Sequence, residues 1–591
     1  MRFAIFYDEK LPYDGTRPDA SALRTIGEYA DMITLENFEE KLAAEYDCLI
    51  NLHGQYFIKQ AWPAIIEHLS AGRGLVNVGG GTPFAVPVRA QGGTVFIVEY
   101  PQTAYCRELY IEHGMQIDAN KCLAPQINPD IPLLHGYERC FDEQKTVSLT
   151  VSFSPKRDDP VHPGTAGPVD AVIRALLYAH DSSGLRTAAP VVLIENTKSK
   201  YRGSRWVLVN QEPTPCFWER GGAELIGKLA AYTAAGTLDF FVRPNYASYY
   251  PGERATVLLQ GQRFNGDSID AVAAITIAKD GREVYSARIP FRLSDQMEYV
   301  SVPTNFPVEP GLYTITAEIS VPGECARIYH NGFWGYDAAL LKSGGGVSCG
   351  RDYFQMDGKP YPVVGMTYMD PDANRLFLIK PNAYNWDRDM ALMGSQGVNM
   401  IRTGNWGYYR QIMCVDGLPS EEIMRAVDAF ILTAASHKIP VIFTFFAFTP
   451  SLWEGENPFF DPRATEAQKR FIRSVVCRHK HTKWVIWDLI NEPALCANMT
   501  HWRPYPNYDR YELEAWRTWL REKHNAIEDL QERWNMSPSE LPAFESAELP
   551  QDRDMNKIVF FNEPFRALRV QDYVWFTQDM MNRWTKEMTD A

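Results

Sequence analysis

A chain of 591 residues is too long for one domain, and about three or four are expected. Its 45% hydrophobic and 22% charged content is that of an ordinary globular protein, and a net charge of −14 argues against nucleic acid or an anionic membrane surface as partner. No run of about 18 uncharged apolar residues occurs, so no membrane-spanning helix is expected, and the N-terminus lacks the apolar core of a signal peptide, which points to the cytoplasm. The ten cysteines are scattered without a C-x-x-C pair, as fits reduced thiols rather than a disulfide framework. No metal or cofactor site is expected.

Residues 1–237 alternate short apolar runs with helical patterns. Phe3–Phe6, Cys48–Leu52, Leu75–Val78 and Thr94–Val98 read as strands, with helices over Ala20–Tyr29 and Gln60–Ser70. This β-α-β rhythm predicts an α/β domain with a doubly wound parallel sheet. The glycines of Gly74-Leu-Val-Asn-Val-Gly-Gly-Gly81 fit neither a P-loop nor G-x-G-x-x-G, so they read as a tight turn at a strand end. Residues 238–340 change to strands separated by Pro251-Gly252, Asp280-Gly281 and Pro310-Gly311 with no helical period, the pattern of an immunoglobulin-like β-sandwich. Gly344-Gly-Gly346 reads as a linker.

Residues 350–591 return to β-α alternation. Asp357-Gly358 marks a hairpin turn. Strands are then expected over Tyr361–Met366, Gly397–Thr403, Ile439–Phe446 and Trp484–Glu492, separated by helices over Asp387–Gln396, Glu421–His437 and Thr465–Arg478. These are four successive steps of a (β/α)8 barrel, incomplete at Ala591, on what reads as the helix before a fifth strand; a fragment of a longer protein is expected. Trp516 and Trp519 lie on the apolar stripe of Glu512–Lys523 and read as core.

The most informative run is Trp484-Val-Ile-Trp-Asp-Leu-Ile-Asn-Glu-Pro493, an apolar strand ending abruptly in Asn491 and Glu492. A carboxylate at the C-terminal end of a parallel strand sits where such barrels hold their catalytic groups. An acid/base carboxyl needs partial burial or a neighbouring carboxylate to stay protonated near neutral pH. Trp406, Phe446, Phe448, Trp453 and Trp487 lie at or near strand ends, where aromatic faces can stack on sugar rings. A second Asn-Glu-Pro at Asn562–Pro564 reads as the start of a long helix, with Asn562 as its N-cap. Cys477-Arg-His-Lys-His481 has unsuitable spacing for a metal and reads as a basic helix end.

The Asn-Glu-Pro strand ending closely resembles the fourth strand of the retaining (β/α)8 glycoside hydrolases, and the helices after it resemble the family 42 β-galactosidase group, with a related family 5-like, mannosidase- or cellulase-like barrel as the other member of that clan it resembles. The resemblance implies a hydrolase of β-linked sugars acting on a glycoside or an oligo- or polysaccharide, with Glu492 as acid/base and Asn491 as ligand to the 2-hydroxyl. It assigns Arg402, ending Asn399-Met-Ile-Arg402, as the cation that holds the nucleophile ionised. The nucleophile itself would end a seventh strand, beyond residue 591. Residues 1–237 resemble the glutamine-amidotransferase-like domains attached to some glycosidases, which implies homo-oligomer assembly rather than chemistry, since no cysteine stands in a Gly-x-Cys-x-Gly turn. Here that domain precedes the barrel, whereas in family 42 it follows, and Cys496 stands without the cysteine cluster of the zinc-binding members. A non-catalytic carbohydrate-binding or scaffold protein with a degenerate barrel is the alternative.

Overall fold

The computed structural model describes residues 1–591 apart from 92–94, 152–169, 454–456, 494, 496–504, 552 and 556–563, with backbone only at 113, 415 and 564–566. Near the N-terminus, Ala30–Ile33, Phe3–Phe6, Cys48–Asn51, Gly74–Val78 and Arg205–Val209 lie side by side and parallel. Arg186–Asn196, Ala171–His180 and Leu123–Ile127 extend this sheet antiparallel, so it is mixed rather than purely parallel. The cause is local: the turn at Asp181–Gly184, where the Asp181 carboxylate accepts from the Ser183 and Leu185 amides, folds two long strands into a hairpin. Val95–Val98 does not join the main sheet. Its side chains are largely exposed, unlike those of a strand covered on both faces, and it pairs with Val86–Gln91 in a separate sheet. At the end of Gly74–Val78 the chain crosses the loop after Cys48–Asn51 so closely that a Cβ on Gly54 (φ +58) would lie 2.8 Å from the Gly79 Cα. Only glycine fits there.

The middle of the chain forms two β-sheets packed on one core. One holds Leu238–Pro244, Thr256–Arg263 and Glu298–Pro303; the other holds Ser248–Tyr249, Arg327–Gly335, Gly311–Ser320, Ile269–Lys279 and Arg282–Leu293. Alternate residues such as Leu238, Phe240 and Val242 face Ile275, Ile315 and Phe333 across the core. The turn between two of the longest strands is Asp280-Gly281, both at positive φ, as a two-residue hairpin requires.

A buried ion cluster joins these sheets to the N-terminal domain. Arg327 donates to both Glu195 oxygens at 2.8 and 3.0 Å and to the Tyr232 hydroxyl at 2.8 Å, while Arg205 pairs with Glu195 at 3.2 Å and Glu324 at 3.0 Å. Burial works against the Glu195 charge, but Arg327 and Arg205 outweigh it and hold its carboxyl below the ordinary carboxylate range.

Towards the C-terminus, Gly365–Thr367, Met400–Gly404, Val441–Ala447 and Val485–Asn491 form a four-stranded parallel sheet in chain order. Helices Ala383–Ser395, Glu421–Ser436 and Pro462–His479 connect successive strands. Each has a side-chain N-cap: Asn382 accepts from Asn385 N, Ser420 from Ile423 N and Asp461 from Arg463 N. The first strand is shorter than expected because Pro360 and Pro362 interrupt the segment before it. His479, from the Cys477–His481 run, ends its helix buried against Asp428, which also takes Arg478.

Beyond the fourth strand, Arg510–Lys523, Ile527–Trp534 and Pro564–Asp590 pack around a second core. There the Trp516 ring stacks on Trp519 and Trp534, with centroids 5.6 and 6.0 Å apart. Asn562 and Glu563, with their expected capping role, lie outside the described residues; the helix begins at Pro564. Among the described residues no helix is long and apolar enough to cross a membrane.

Glu512 lies in this core, accepting from the Tyr573 hydroxyl at 2.6 Å and from the Asn507 and Tyr508 amides. Burial pushes its carboxyl up to about 7. A carboxyl whose pKa is raised on folding contributes full stability below its unfolded value and loses it as pH rises through the folded one. Glu512→Gln, which keeps the acceptor and can donate to Tyr573, is therefore expected to match the native chain near pH 4.5. It should become more stable than the native chain by up to about 3 kcal/mol by pH 8. Urea midpoints at the two pH values measure this; a difference that stays constant with pH would refute it.

Candidate functional site

The ends of the parallel strands bring three groups together. Arg402, on the second strand, donates through Nε and Nη2 to Asp488 Oδ2 at 3.0 and 2.6 Å and through Nη1 to Asn491 Oδ1 at 2.8 Å. Asp488 and Asn491 both belong to the fourth strand, and Thr444 of the third adds a hydroxyl donor to Asp488 Oδ2 at 2.8 Å. The pairing register explains how Arg402, Thr444 and Asp488 meet, since Arg402 lies opposite Ile442 and Thr444 opposite Asp488, whereas Asn491, of the other parity, reaches Arg402 from the last position of its strand, where the chain turns. Residues of equal parity on neighbouring strands share one face of the sheet.

The strands then turn sharply. Phe448 and Glu492, each the first residue after its strand, adopt left-handed backbone (φ +55 and +47), and the Phe448 amide donates to the Asn491 carbonyl at 2.9 Å. Left-handed backbone at a non-glycine residue carries strain and clusters at functional sites. At Glu492 the chain thereby leaves the strand direction. Glu492 is exposed, so the partial burial expected of it is not found among the described residues.

The aromatic candidates separate into two groups. Trp406 stays with the site: it is buried, its ring lies 5.3 Å from the Arg402 guanidinium, and its Nε1 has no hydrogen-bond partner among the described residues. Phe448 and Trp453 remain half-exposed at the same sheet end, near Arg375 and Arg463 respectively. Trp487 points the other way, stacked on Phe445 at 5.2 Å and edge-on to Phe443. Its place next to Asp488 puts it on the opposite face of the strand. Phe446 is fully buried among Tyr409, Phe471 and Trp584 and presents no ring face to a ligand.

Two residues of this group escaped the sequence reading, Asp488 and Thr444. Asp488 carried a signal, as the one charge within the apolar run Trp484–Ile490; Thr444 carried none. Among the described residues no group of three or more histidines, cysteines or acids is placed to hold a metal ion.

No protein-family model matches the sequence, and no curated protein matches it. Solved glycoside hydrolases are similar over part of the chain. A β-glucuronidase of Bacteroides uniformis is 16% identical, covering 43% of this chain and 28% of its own, with a TM-score of 0.20. A β-D-mannosidase of Dictyoglomus thermophilum is 18% identical over 42% of this chain and 29% of its own, TM-score 0.20. GH5_18 from Streptomyces cattleya, in complex with GlcNAc, is 14% identical over 27% of this chain and 40% of its own, TM-score 0.22. The chain thus spans less than a third of the length of the glucuronidase and the mannosidase.

Proposed function

We propose that residues 350–591 form the first half of a (β/α)8 barrel and belong to a retaining hydrolase of β-linked sugars. The observation that carries this reading is the geometry at the end of the fourth strand. An oriented Asn491 carboxamide, held by Arg402, stands immediately before an exposed glutamate with left-handed backbone. Glu492 is the acid/base: it protonates the departing glycosidic oxygen and later deprotonates the attacking water. Asn491 donates to the sugar 2-hydroxyl, a bond that strengthens as the oxocarbenium-like transition state develops. Trp406 buttresses Arg402 from the side. The nucleophile is a second carboxylate from a strand that follows residue 591, and sugar binding supplies the exclusion of water that Glu492 lacks in the free chain.

The test is a panel of aryl β-glycosides assayed with the 591-residue chain and with longer products of the same reading frame, with the anomer of the first product followed by proton NMR. Turnover with retained β-configuration supports the proposal. Inversion, or failure of every product to hydrolyse any β-glycoside, refutes it; binding without turnover identifies the carbohydrate-binding alternative.

A further inference from the structure

Asp488 takes three donors on one oxygen, Arg402 Nε and Nη2 and the Thr444 hydroxyl, while Oδ1 has no hydrogen-bond partner among the described residues. With Oδ2 committed to Arg402 and Thr444, Asp488 is not assigned as the second carboxylate. What Asp488 does, it does through Arg402.

A guanidinium has five N–H donors and no acceptor. The Asn491 atom that faces Arg402 Nη1 at 2.8 Å is therefore the carbonyl Oδ1, and the amide Nδ2 has no hydrogen-bond partner among the described residues. Asp488 matches the Arg402 charge one to one at 2.6 Å. The Arg402 cation beside Asn491 is thus already committed and itself offers no net positive charge to an anionic sugar.

On the glycosidase reading above, we propose that Asp488 is a positioning residue with two effects. Through Arg402 it turns the Asn491 carboxamide so that Nδ2 meets a sugar hydroxyl oxygen, and by cancelling the Arg402 charge it suits the site to neutral sugars over uronic acids. Two variants separate these effects. Asp488→Asn keeps an amide oxygen for Arg402 and Thr444 but releases the charge; Asp488→Val removes both.

The probes are non-hydrolysable phenyl β-thioglycosides of the gluco, galacto and manno series, their C6 uronates and their 2-deoxy forms, titrated calorimetrically into the 591-residue chain. Asp488→Asn is expected to raise uronate affinity about tenfold at low salt, fading as salt rises, with neutral sugars unchanged. Asp488→Val is expected to weaken neutral thioglycosides about tenfold while sparing their 2-deoxy forms. Its crystal structure should show Arg402 detached from Asn491. An unchanged uronate-to-neutral ratio in Asp488→Asn, or Arg402 still bound to Asn491 in Asp488→Val, overturns the proposal. If the native chain binds no thioglycoside at all, the sugar-site reading fails, and the position of Arg402 in the two variant structures still decides the positioning role.

Discussion

Glu492→Gln is expected to slow hydrolysis of β-linked oligosaccharides by 10²- to 10⁴-fold, the usual contribution of a general acid. Aryl glycosides with acidic phenol leaving groups should lose far less in the glycosylation step, because the departing oxygen no longer needs a proton. The two substrate classes separate an acid from a merely structural residue, since a residue needed only for folding would reduce both alike. Glutamine also preserves the size of the side chain at φ +47, so the strained backbone is not the variable. kcat/KM for both classes, with unfolding midpoints as a control, gives the answer. Equal losses on both would remove Glu492 from the acid role.

The largest expected effect on stability lies far from that site. Glu195→Ala would leave Arg205 and Arg327, both almost fully buried, without their shared carboxylate. Removing one partner of a buried pair costs about 3 to 5 kcal/mol, because the other charge stays desolvated and unpaired. Glu324 retains contact with both arginines, at 3.0 and 3.8 Å, and one carboxylate cannot match two guanidinium groups. Urea unfolding should therefore show the N-terminal domain and the sandwich losing stability together, since the cluster spans their junction. A loss below about 1 kcal/mol would mean that water or Glu324 compensates the two cations.

The fold was legible in the sequence where the signal is local. The strands Phe3–Phe6 and Cys48–Asn51, the Asp280-Gly281 turn and the helix Glu421–Ser436 follow from apolar periodicity, turn chemistry and capping over a few residues. The misreadings fall where a distant partner decides. Val95–Val98 has the composition of a central strand, yet which sheet it joins depends on Val86–Gln91. The long Ala171–His180 and Arg186–Asn196 pair makes the N-terminal sheet mixed, because an antiparallel hairpin satisfies its backbone without a crossover helix.

The candidate site divides in the same way. Asn491, Glu492 and Arg402 were legible from the sequence, each standing at the end of an apolar run where an uninterrupted core strand has no polar residue. Which of these groups meet was not legible. The pairing of Arg402 with Asp488, 86 positions away, follows from the parallel register of three strands and from side-chain parity. That same parity turns Trp487 to the other face, and helix packing seals Phe446. Composition and pattern determined the elements and the chemical vocabulary of this protein, because propensity, capping and periodicity act over a turn or a strand. Contact between side chains was decided only by tertiary structure, because register and the choice of face are set by the packing of the whole sheet.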